Sequence, residues 1–135
     1  MAPESKTASS VNNTFGSGND SGGFYFNGPV DDLLITNCYA SGNQNRAIVI
    51  WNGLKTNITI TGNEIRNSNG GCCGIELQDG TASGVNISGN TLDQIGDNGI
   101  GITGLTSGSG GNIISNNTIL KMFQLNRIFK FFFYM

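Results

Sequence analysis

The sequence predicts an all-β fold, a right-handed parallel β-helix of about three to four coils wound as a single-stranded solenoid. Three observations lead there. A pattern repeats at about 27 residues, apolar residues alternate with Thr, Ser, Asn and Gly inside each repeat, and Gly/Asn clusters separate the alternating bursts. Such bursts between turn residues are a strand-and-turn signal.

The repeat comes first because it sets everything else. Ile58 to Ile65 (ITITGNEI), Val85 to Leu92 (VNISGNTL) and Ile113 to Ile119 (IISNNTI) align directly, and Asn63, Asn90 and Asn117 stand 27 residues apart. An earlier copy, Leu34 to Tyr39 (LITNCY), puts Asn37 26 residues before Asn63. A second strand recurs within each period: Ala47 to Trp51, Gly74 to Gln78 and Gly99 to Thr103. There Ile48, Ile75 and Ile100 are spaced by 27 and 25 residues. Leucine-rich repeats need several leucines per unit, and helical repeats need a 3.6-residue period that is absent here. A coil of two or three short strands fits the count.

Alternation sends one side of each strand to a core and the other to water. Stacked coils lie about 4.8 Å apart, so equivalent positions form columns. Ile35, Ile60, Ile87 and Ile114 are expected as one core column, with Tyr39, Ile65, Leu92 and Ile119 on the next strand. Asparagine tolerates the positive φ that a tight corner needs. Asn37, Asn63, Asn90 and Asn117 are therefore expected at one corner as a structural ladder, with amides bonded along the axis. Three regions follow: a flexible Ser/Asn/Gly-rich lead-in over 1–23, the β-helix over 24–119, and an aromatic C-terminal cap or irregular tail over 120–135. Phe24 to Phe26 opens the β-helix, and Leu105 to Gly111 is a loop able to bulge. So few coils, with ends that need covering, are expected to be an excerpt of a larger protein.

Composition excludes several functions. Charged residues make up 12% of the chain and its seven Lys/Arg are scattered, so no nucleic-acid partner is expected. The absence of histidine removes the commonest general base and the commonest neutral metal ligand. Chemistry would have to rest on carboxylates, Lys/Arg or a bound metal. Cys38, Cys72 and Cys73 are odd in number, with two adjacent and no C-x-x-C spacing. They read as small buried side chains rather than a disulfide framework or zinc site. Met1 to Ser10 lacks the apolar stretch of a signal peptide, and Lys121 to Met135 is too short and charged for a membrane span.

The S/T-G/N-N-x-apolar corner followed by a Gly-Ile-x-Ile strand resembles the parallel β-helix repeats of the pectate-lyase-like superfamily, over Phe24 to Ile119. The resemblance implies the fold, an extracellular or cell-surface setting and a polysaccharide partner. It bears less on activity, because such a repeat encodes the scaffold. The Asn-Thr-Asp, Gly-His-Gly and Arg-Ile-Lys motifs of polygalacturonases are missing, as are the His-bearing and Arg-x-Pro-x-x-Arg motifs of pectate lyases. Asp31-Asp32 therefore reads as turn chemistry rather than the paired acids of a glycosidase. Gly16 to Gly23 is one imperfect copy of a calcium-binding nonapeptide, and no metal site is expected there.

Two constellations remain. Arg66 and Asp93 each lie three residues past a ladder asparagine and should stack, with Glu64 on the same face as Arg66. In lyases of the resembled superfamily, acidic residues hold calcium while an arginine or lysine abstracts a proton. Glu64, Arg66 and Asp93 are thus the candidate catalytic residues, set against the simpler reading of a surface ion pair. Trp51, Gln78 and Thr103 should share an outward column, where an indole packs a pyranose face and polar neighbours bond its hydroxyls. They are the candidate carbohydrate-binding residues. The sequons at Asn12, Asn57, Asn86 and Asn116 are expected by composition alone. A Thr-x-Thr ice-binding face is supplied only by Thr59 and Thr61. The expected function is a non-catalytic β-helix segment, structural or carbohydrate-binding, without a cofactor. The alternative is a fragment of a polysaccharide lyase, glycoside hydrolase or epimerase acting on uronate-type polymers, with calcium if a lyase.

Overall fold

The computed structural model describes residues 6–7, 11–12, 22–68, 73–96, 98–122 and 129–133, with side chains at 22–68, 73–96 and 98–120. In chain order the strands are β1 (Lys6–Thr7), β2 (Val11–Asn12), β3 (Gly22–Asn27), β4 (Val30–Thr36), β5 (Tyr39–Ser41), β6 (Arg46–Trp51) and β7 (Leu54–Thr61). They continue as β8 (Glu64–Ser68), β9 (Cys73–Ser88), β10 (Thr91–Ile95), β11 (Asn98–Leu105), β12 (Ile113–Ser115), β13 (Thr118–Met122) and β14 (Phe129–Phe133). All described pairings between strands are parallel.

Four coils each pass over three faces. The first face stacks β3, β6, the first half of β9, then β11 and β14. The second stacks β4, β7, the second half of β9 and β12, with β1 and β2 beside β4. The third stacks β5, β8, β10 and β13. The strand pairing therefore extends beyond the expected bounds of 24 and 119, through β1 and β2 at one end and β14 at the other. The motif residues Gly16 to Ser21, the sequon residues Asn13 and Thr14, Cys72 and most of the Phe-rich tail lie outside the described residues.

The corners follow from backbone sterics. Non-glycine residues rarely adopt positive φ, and among the described residues those that do are asparagine, aspartate and one glutamine. They and glycine form columns: Asp32, Asn57, Gly84 and Gly111; Asn37, Gly62, Gly89 and Asn116; Asn52, Asp79 and Gly104. Between them, alternation fills one core. Phe24, Ile48, Ile75 and Ile100 stack on the first face, and Ile35, Ile60 and Ile87 on the second, continued by partly buried Ile114.

The expected third-face column needs one correction. Tyr39 pairs with Glu64, so Ala40, not Tyr39, stacks with Ile65, Leu92 and Ile119. The same one-residue shift moves Asn37. It occupies the positive-φ position of Gly62, Gly89 and Asn116, at φ 52°. Cys38 stands where the other coils have asparagine, and its N–H donates to Asn63 Oδ1 at 2.9 Å. The asparagines that bond in series are those one residue past the positive-φ site. Asn63 Nδ2 donates to Asn90 Oδ1 and Asn90 Nδ2 to Asn117 Oδ1, both at 2.9 Å. Each amide also donates across the coil, to the carbonyls of Ile35, Ile60 and Ile87 respectively.

Cysteine needs a second correction. Cys38 is buried and keeps its thiol, as expected for a small core side chain, and the thiol donates to the Thr36 carbonyl at 3.3 Å. Cys73, by contrast, is disulfide-bonded.

Candidate functional site

The outward side of the first face carries the densest polar cluster. The register runs Asn27, Trp51, Gln78 and Thr103 in one column, and Tyr25, Val49, Glu76 and Gly101 in the next. Both columns exist because outward positions alternate with the inward Ile48/Ile50 and Ile75/Leu77 pairs. Tyr25, Asn45, Arg46 and Trp51 line a hollow of about 370 Å³ beside these columns. That volume falls within the range of roughly 300–1,000 Å³ common for small-ligand sites.

Glu76 is a carboxylate on an outward position, yet its side chain is only 3% exposed. Burial of a charge demands partners. Arg46 Nε pairs with Glu76 Oε2, and the Thr103 hydroxyl donates to Glu76 Oε1 at 3.1 Å. Arg46 also donates from its second terminal nitrogen to Gln78 Oε1 at 3.2 Å. The guanidinium is thus held flat by two residues of the next coil, as its planar fork favours. Trp51 is fixed from two sides. Its indole N–H donates to Asp79 Oδ2 at 2.9 Å, and the Tyr25 ring meets it edge-on at 6.3 Å between centroids. Tyr25 is 45% exposed, so an aromatic edge and a half-buried indole both face the hollow.

Sequence reasoning placed Trp51, Gln78 and Thr103 in one column, and the register does so. It missed Tyr25, Asn45, Arg46, Glu76 and Asp79. A signal was available for Glu76, which precedes Gln78 by two residues and so shares its outward face.

Glu64, Arg66 and Asp93 are also brought together, on the third face. Arg66 pairs with Glu64 at 2.5 Å and with Asp93 at 4.0 Å, and both Glu64 and Arg66 are largely solvent-facing. The Glu64 hydrogen bond and charge raise the Arg66 pKa above its ordinary value. A general base needs the opposite shift. Among the described residues no group of three or more Cys, Asp or Glu is placed to hold a metal ion. Asp31 accepts from the Thr56 hydroxyl and the Asn57 amide, while Asp32 takes φ 57° in a corner column. Those are turn and surface roles. Thr59 and Thr61 sit on the second face beside Asn86 and Ser88. No described helix is long and apolar enough to cross a membrane.

A family model described as "Right handed beta helix region" matches residues 4–120. The comparisons with curated proteins and with solved structures each gave no match.

Proposed function

The chain belongs to the right-handed β-helix family, and on that premise we propose that it is a non-catalytic β-helix domain that binds carbohydrate at the Trp51 hollow. One observation carries the reading: among the described residues, half-buried Trp51 and exposed Tyr25 line a hollow together with the polar residues Asn45 and Arg46. A sugar ring presents an apolar C–H face to an aromatic and hydroxyls to polar neighbours. The polar groups are pre-set, since Arg46 is tied to Glu76 and Gln78 before any ligand arrives. Pre-organisation of this kind lowers the entropy lost on binding. An extracellular polysaccharide is the partner this reading proposes.

Glu64, Arg66 and Asp93 serve in this reading as an exposed ion-pair cluster on another face. The test is a panel of neutral and uronate oligosaccharides titrated against the full chain by calorimetry, with and without calcium. Unsaturated product is followed by absorbance in parallel. Saturable binding lost in Trp51→Ala, with no product formed, supports the proposal. Product formation abolished by Arg66→Ala replaces it with a lyase.

A further inference from the structure

Lys55 is fully buried, at 0% exposed, in an inward column between Val30 and Ala82. A lysine at such a position must find acceptors inside the coil. Its Nζ donates to the backbone carbonyls of Asn52 at 3.3 Å and Gly53 at 3.2 Å, and to that of Asp79. Asn52 and Gly53 follow Trp51 directly, and both have positive φ, 61° and 70°. The Gly53 carbonyl also accepts from the Thr81 N–H of the next coil at 3.2 Å, so Lys55 adds a second donor to a carbonyl already in the stack. Asp79 belongs to the next coil. Its carbonyl takes Lys55 on the inside, and its carboxylate takes the Trp51 indole on the outside. The wall of the coil is thus crossed by one residue bonded on both surfaces.

We propose that Lys55 is the positioning residue of the Trp51 hollow, holding the indole through the Asn52–Gly53 corner and through Asp79. This rests on the carbohydrate reading only for what the ring does; the placement of the ring is independent of it. An ammonium has three donors and meets three carbonyls. A neutral amine has two, and its lone pair would face an oxygen. Loss of the proton therefore frees one strand of the tether.

Burial pushes the Lys55 amine down to about 8, with the charge of Asp79 acting in the opposite sense. The charged groups on the strands packed against β7 are Asp31 and Asp32 on β4 and Glu76 and Asp79 on β9. Asp31 is engaged outside by Thr56 and Asn57, Asp32 is exposed, and Glu76 is paired with Arg46. Asp79 is the neighbour whose charge acts on Lys55.

Trp51 is the only tryptophan in the chain, so its emission reports this corner without any ligand. The full chain is titrated from about pH 6 to pH 10, bracketing the amine's change of charge. A single step in the emission maximum is expected, centred near pH 8. It keeps its midpoint in Tyr25→Phe, which removes the ionisable hydroxyl beside the indole. It disappears in Lys55→Met and shrinks in Asp79→Gly. The latter retains the carbonyl, drops the carboxylate and adopts the residue that the next coil already has at Gly104. A flat wild-type profile, a step that survives in Lys55→Met, or one undiminished in Asp79→Gly overturns the proposal. Should Lys55→Met fail to fold, the wild type and Asp79→Gly decide alone. Absent sugar binding with the step intact counts against the carbohydrate reading, not against the tether.

Discussion

At the corner between the second and third faces, three successive coils meet their backbone with the same side chain, as Asn63, Asn90 and Asn117 pass amide hydrogen bonds along the axis. At the corner between the first and second faces, Lys55 reaches out of the core once, and the coils on either side place Val30 and Ala82 at its position. Both corners face the same problem, carbonyls and N–H groups that a tight bend takes away from strand pairing. One is bonded by a repeated side chain; the other adds a single long cation to the backbone bonds between coils. The difference separates scaffold from site. Where three coils agree, the residues hold the stack together. Where one coil departs from the others, its Lys55, Trp51 and neighbouring Asp79 form a local structure that the repeat does not need.

Breaking the repeated corner should cost most. Asn90→Ala removes the acceptor of the buried Asn63 N–H and the donor to the Ile60 carbonyl. Unsatisfied buried groups cost about 1–3 kcal/mol each, so a loss of about 3–4 kcal/mol is expected in chemical denaturation. Sugar affinity of the folded protein should not change. Gly80→Ala tests the other corner by steric means. An added Cβ would lie 2.2 Å from the Gly53 carbonyl oxygen, at φ 82°. A loss of about 2–3 kcal/mol is expected. Gly62→Ala, whose nearest contact is Asn37 Oδ1 at 3.3 Å, should cost less in the same assay.

The lysine corner also predicts a pH dependence with a definite sign. The folded pKa of Lys55, about 8, lies below the ordinary 10.5. Between those values the unfolded chain holds the proton and the folded chain has lost it. Stability of the wild type relative to Lys55→Met should therefore rise with pH across that window, by up to about 3 kcal/mol, and be flat below it. Deprotonation thus relieves the desolvated charge while loosening the local tether. Denaturant midpoints at four pH values, taken on both proteins, measure the difference. The smallest effect belongs to the exposed cluster. Arg66→Ala should leave the midpoint and sugar binding where they are, since its partners remain solvated.

Most of the fold was legible because its signals are periodic. Ile48, Ile75 and Ile100 could be aligned by spacing alone, and the register pairs them. The error at Asn37 has a local cause. Asparagine serves both as a positive-φ residue and as the amide donor one position later, so T-N-C at 36–38 could be aligned either way. Only pairing of Tyr39 with Glu64 fixes the choice. Lys55 was hidden for a similar reason. Counting back by twos from Ile60 and Ile58 points Lys55 outward. The positive-φ residue Asn57 inserts an extra position and turns Lys55 inward instead. Trp51, Gln78 and Thr103 were found because they keep the repeat. Arg46 was not, because it sits at a strand start where alternation gives no direction. Cys73 was misjudged because an odd number of cysteines, two of them adjacent, makes a poor disulfide framework.

The proposal puts the site where the coil departs from its repeat, at Trp51, and not at the charged cluster on the third face. Calorimetric titration of one binding oligosaccharide into wild type, Trp51→Ala and Arg66→Ala separates the two places. Affinity is expected to fall at least about tenfold in Trp51→Ala, as for a loss of about 1.4 kcal/mol or more, and to stay at the wild-type value in Arg66→Ala. Unchanged affinity in Trp51→Ala together with loss in Arg66→Ala would contradict it.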